Sequence, residues 1–128
     1  MPLAATISAA NVHDSRLLEE VVDSVEPVRG RRGRPRKRPE KLCADKGYDF
    51  PRCRRFLRRR GIGARIARRG VESSEKLGRH RWVVERTFSW LYRFRRLAVR
   101  YERRADIHQA FLDLACALIC CNYIRREF

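Results

Sequence analysis

Two carboxylates in this chain stand where their neighbours could give them chemistry. Asp45 closes a run, residues 40–45 (EKLCAD), that reads as a buried strand, and Lys46-Gly47-Tyr48-Asp49 comes directly after it. Ligands of open α/β sheets bind beyond the carboxyl ends of the strands, so a carboxylate at that point is placed to hold a metal ion. It is placed equally well to cap the turn or to pair with Lys46, and position alone does not separate these readings. Glu85 sits on a helical pattern. At about 100° per residue, Val83, Val84, Trp90, Leu91, Phe94 and Leu97 form one broad apolar face. On the same projection Glu85 lies nearly opposite, with Arg81, Ser89, Tyr92 and Arg96 within about 40° of it. The plainer reading is an Arg81–Glu85 pair one helical turn apart, worth about 0.3–0.5 kcal/mol on an exposed helix.

The charge of the chain says what such carboxylates would meet. Lys and Arg number 31 against 15 Asp and Glu, a net charge of +16. A surface of that sign attracts polyanions, and nucleic acid is the first partner to consider. The densest run is RGRRGRPRKR at 29–38, which contains Arg32, Arg34, Arg36, Lys37 and Arg38. Arginines flanking a Gly-Arg-Pro core can lie in a narrow minor groove. The commoner behaviour of such a run is to contact phosphates without reading sequence. Both readings make it a DNA-binding segment.

The elements that must carry these residues come from the pattern of the chain. Residues 3–8 (LAATIS) are expected to form a strand, and Leu17, Leu18, Val21, Val22 and Val25 mark a helix over 16–25 after the cap candidates His13-Asp14-Ser15. The basic loop, 29–39, comes next, then the strand ending at Asp45. Asp49 is a candidate cap for a helix with Pro51 in its first turn and Gly61 at its end. Residues 62–67 (IGARIA) read as another strand and 70–78 as a polar loop. Helical patterns cover 79–100 and 106–125, and the last is apolar nearly all round, so it is expected to pack internally. The order β-α-β-α-β-α-α implies an α/β fold with parallel strand pairs and flanking helices.

Cys43, Cys53, Cys116, Cys120 and Cys121 show no zinc spacing and read as reduced thiols of a cytosolic protein. The N-terminus lacks the features of a signal peptide. No apolar stretch is expected to reach the roughly 20 residues that span a bilayer, which gives a cytoplasmic, nucleoid-associated protein with no membrane partner.

Read together, ADKGYD at 44–49 and RHRWVVERTFSWL at 79–91 resemble the second-aspartate and final-glutamate segments of bacterial insertion-sequence transposases with a DDE catalytic domain. The insertion-sequence-five family is the nearest in pattern. AANVHDS at 9–15 is similar to a further segment of the same domain, and the likeness covers essentially the whole chain. The resemblance implies an RNase H-like fold, here partial, with a mixed sheet, flanking helices and a helical C-terminus. It also implies three carboxylates that bind two divalent metals, normally Mg²⁺, for cleavage and strand transfer at element ends. Hard cations take oxygen ligands, and paired metals clamp both ends of a phosphoryl transfer. By this likeness Asp45 is the second carboxylate and Glu85 the third, both catalytic and both metal ligands.

In the family, a tyrosine and an arginine precede the glutamate and a lysine comes after it. Arg81 matches the arginine; Gly78 stands at the tyrosine position and Tyr92 at the lysine position. Arg93 or Arg96 is the candidate for the missing cation. The family's first aspartate belongs to a strand before the region matching 3–8, and Asp14 is not its counterpart. The chain therefore reads as residues 1–128 of the C-terminal part of the catalytic domain, with a two-metal site that is incomplete and inactive alone. An upstream transposase polypeptide or a second transposase subunit is the expected partner, besides the DNA of the element ends and target. The competing reading is a non-catalytic basic DNA-binding protein, a regulator or a decayed remnant.

Overall fold

Alternation along residues 41–44 turns Leu42 and Ala44 inward and leaves Lys41 and Cys43 exposed, and a helix covers only the inward face. The computed structural model describes residues 1–30, 32–70 and 78–127. A 3-10 turn (Asp14–Arg16) leads into helix α1 (Leu18–Ser24), and the first strand, β1 (Lys41–Ala44), comes after the basic loop. Helix α2 (Pro51–Arg59) then crosses to β2 (Gly63–Ile66), which pairs with β1 in parallel. The register sets Lys41 beside Gly63, Leu42 beside Ala64, Cys43 beside Arg65 and Ala44 beside Ile66. Helices α3 (Gly78–Leu91), α4 (Arg95–Ala98) and α5 (Ala105–Glu127) complete the chain.

The chain divides into two compact units, Ala9–His80 and Met1–Ser8 with Arg81–Phe128. The first is a β-α-β unit with one core: Leu18 and Val22 of α1, Cys53, Phe56 and Leu57 of α2, and Ile62 and Ile66. Leu42, Ala44 and Ala64 pack against it from the sheet. The end of α2 shows why Gly61 stops it. Gly61 takes φ +65°, a region in which a side chain is strained. Its N–H donates to Arg58 O and the N–H of Ile62 to Leu57 O, so two carbonyls of the last turn are satisfied while Ile62 is delivered to the core. Asp49, the expected cap of α2, is not its cap; Phe50 holds that position without a side-chain hydrogen bond.

In the second unit, residues 3–8 form no strand. Two of their backbone groups are satisfied by a side-chain amide. Gln109 Oε1 accepts from Ile7 N–H at 2.9 Å, and Gln109 Nε2 donates to Ala5 O at 2.9 Å. The described sheet is thus one parallel pair and not the mixed sheet expected. The pattern over 79–100 also breaks, into α3 and α4, across a turn at Tyr92–Phe94.

The expected internal packing of α5 is corrected as well. Among its described residues only Ala115 and Ile119 are buried, while Leu114 stays 56% and Leu118 44% exposed. By length and composition alone α5 could cross a membrane, against the expectation that no stretch would reach that length. All five cysteines are free thiols.

Candidate nucleic-acid interface and acidic site

Asp45 leaves β1 in extended conformation and turns its carboxylate back on the chain. Its Oδ1 accepts from Gly47 N–H at 2.8 Å and so caps the 3-10 turn Lys46–Tyr48. Gly47 fits because a methyl on its Cα would meet that same oxygen at 2.9 Å. The capping reading is therefore realised. It leaves the acidic reading open, since a carboxylate offers about four lone-pair sites over two oxygens and this one is exposed.

The segment after Asp45 is braced on several sides. Asp49 is gripped by Arg54, 2.7 Å away, and accepts the N–H of Arg69 at 2.9 Å. The Arg69 N–H and the Arg54 guanidinium hold its carboxyl below the usual range. Arg54 also donates to Ile66 O at 3.0 Å, so the clasp ties α2 to the end of β2. Phe50 carries the guanidinium of Arg52 at 4.7 Å and that of Arg69 at 4.7 Å from its ring centroid. Arg52 donates to Ser15 Oγ, and Arg69 Nε donates to Lys46 O at 3.2 Å. Ser15 itself is 2% exposed, and the Cys53 thiol donates to its carbonyl. Partial burial pushes the Tyr48 hydroxyl upward, helped by the nearby carboxylates of Asp14 and Asp45.

Glu85 lies exposed on α3, in the second unit, whereas Asp45 belongs to the first. The backbone of Arg81 is helical and its side chain lies outside the described residues. The apolar face drawn for α3 is not buried: Val83 is 41% and Val84 54% exposed. Trp82 and Trp90 instead flank the Arg86 guanidinium, at 4.4 and 4.9 Å from their ring centroids. Arg93 is exposed in the turn after α3. Arg96 is engaged within its own unit, paired with the 6% exposed side chain of Glu102 and set over Tyr101 and Phe111. Burial works to raise the Glu102 carboxyl, and Arg96 with nearby backbone N–H groups outweighs it, leaving a net lowering.

The basic run is a closed loop. Val28 and Arg36 exchange both backbone hydrogen bonds at 2.9 Å, and Gly33 takes φ +94° within the loop. Arg32, Arg34, Arg36, Lys37 and Arg38 are all exposed, and Arg38 reaches across to Gly61. Arg31 lies outside the described residues, as does the part of the 70–78 loop at 71–77.

Among the described residues no group of three His, Cys, Asp or Glu side chains could hold a metal ion. Asp45 is an exposed carboxylate of the unit Ala9–His80 and Glu85 an exposed carboxylate of the other unit. Sequence reasoning missed Arg52 and Arg69. Arg69 lies three residues beyond the end of β2 and Arg52 in the first turn of α2, the element that follows the turn after β1.

Comparison with known proteins agrees with the motif reading. The family model described as a transposase DDE domain matches residues 1–120. The chain is 55% identical over 125 residues, 98% of its length, to a protein of Burkholderia cepacia named as a transposase for insertion sequence element IS402. It spans 59% of that relative's length. No solved structure matches it. A motif pair at 44–49 and 79–91, and a family match running through both, make this chain a member of the DDE-domain transposases of bacterial insertion sequences.

Proposed function

We propose that this chain is the C-terminal part of an RNase H-like transposase catalytic domain that takes part in DNA transposition, by metal-dependent cleavage and strand transfer at the ends of an insertion sequence. The observation that carries the reading is the family match across 1–120, which contains both Asp45 and Glu85 in their motifs. Asp45 and Glu85 are the second and third catalytic carboxylates. The first comes from an upstream transposase polypeptide or a second transposase subunit. Mg²⁺ is the ion expected once the carboxylate set is complete, and the chain alone is inactive. The basic loop with Arg32, Arg34, Arg36, Lys37 and Arg38, together with Arg81 and Arg93, supplies positive charge for the DNA backbone. The alternative of a non-catalytic basic protein is not favoured, because charge alone would not bring the two acidic motifs in family order.

The test is Mg²⁺-dependent cleavage of element-end DNA by the chain co-expressed with the polypeptide encoded upstream. Glu85→Gln is expected to reduce cleavage to background while DNA binding stays at the parent level. Cleavage by Glu85→Gln equal to the parent's would overturn the assignment.

A further inference from the structure

Beside Asp45 the fold builds a feature that the acidic motif does not require. Arg52 and Arg69, from the start of α2 and the segment after β2, both set their guanidinium groups 4.7 Å from the centroid of Phe50. An aromatic ring can accept a cation on its face and so limits the motion of each side chain. Each guanidinium is then fixed by a neutral acceptor, Ser15 Oγ for Arg52 and the carbonyl of Lys46 for Arg69. Among the described residues neither guanidinium is within ion-pair distance of a carboxylate; Asp49, paired with Arg54, offsets the charge of Arg69 only from farther off. Both side chains are on exposed residues. Two cations held in place without a direct ion pair are pre-organised for an anion. Arginine's planar fork suits phosphate oxygens better than a lysine would. The acceptor of Arg69 belongs to the residue after Asp45, which ties that guanidinium to the Asp45 turn, and Arg52 shares the Phe50 ring with it.

We infer that Arg52 and Arg69, braced on Phe50, form a clamp for a phosphate of the DNA backbone beside Asp45. The inference rests on the proposed role in DNA transposition and adds two residues that neither the motif nor the basic loop contains. The clamp gives position without sequence preference, because a phosphate carries no base identity.

Duplex binding by the full chain, measured across a salt series, tests it. On duplex DNA each lost phosphate contact lowers the slope of log K against log salt by about 0.9. Arg52→Gln with Arg69→Gln is therefore expected to lower the slope by about 0.9, whereas Arg55→Gln with Arg58→Gln, a comparable loss of two positive charges, leaves it near the parent value. Equal losses in both pairs would overturn the clamp and leave only general charge. A parent chain with no salt-dependent affinity would overturn the proposed function as well, so the two failures are distinguishable. A second measurement needs no variant. Phenylglyoxal modification of the parent, mapped by mass, should be slowed by DNA at Arg52 and Arg69 more than at Arg55 and Arg58. Protection of all four alike, or equal protection by inorganic phosphate at the same ionic strength, would overturn it.

Discussion

The two units of this chain bury their apolar residues very differently. In the unit Ala9–His80, α1 and α2 lie on the inward face of the sheet, and Leu57 is 0% exposed. In the unit built from α3, α4 and α5, Trp82, Phe88 and Leu114 are each more than half exposed. A parallel β-α-β unit brings a helix onto its own sheet and so makes a local core. Helices apolar on several sides have no such built-in cover and leave surface open.

The strongest way to break the comparison is to truncate one apolar residue in each unit. Leu57→Ala should destabilise by about 2–5 kcal/mol, the range for a fully buried leucine. Leu118→Ala, at a residue 44% exposed, should stay within about 0.5 kcal/mol. Urea unfolding monitored by far-ultraviolet circular dichroism measures both, and similar losses would mean that α5 is covered in solution. A smaller effect is expected at Gly61. With φ +65° there, Gly61→Ala should cost about 1–2 kcal/mol, and Arg38 must shift to admit the methyl. A loss below a few tenths of a kcal/mol would mean the turn at the end of α2 is not as described.

Acid should act on both units, and the smallest effect sharpens the assignment of one clasp. The Asp49 carboxyl is held low by the Arg69 N–H and by Arg54. A lowered folded-state pKa contributes stability that is present above the unfolded value of about 4 and is lost as pH falls through the folded one. Asp49→Asn should therefore flatten the acid limb of a pH series of urea midpoints, with little change in its shape above the carboxylate range. An unchanged acid limb would mean that the Asp49 clasp does not set it.

Much of the first unit was legible in residue order. The strand ending at Asp45, the helix with Pro51 in its first turn, the stop at Gly61 and the strand beyond it all appeared close to their expected places, since each rests on local sterics and short-range periodicity. Residues 3–8 were misread because apolar, β-tolerant residues say that a strand is possible and not whether a neighbouring strand exists. The side-chain amide of Gln109, 102 residues from Ile7, took that partner's role. Residue order also gave no sign that Arg96 pairs with Glu102 across the turn after α4.

The sequence by itself determined the chemistry that this protein can address. Its net charge of +16 names a polyanionic partner, and the motifs around Asp45 and Glu85 name the family. Those properties depend on residue types and spacing, which folding does not change. Only the tertiary structure decided which cations remain available. Arg54 and Arg96 are paired with carboxylates, while Arg52 and Arg69 are held on Phe50 by neutral acceptors. Four arginines with the same charge along the chain thus differ in their partners, because ion pairing and stacking depend on distances that only the fold sets.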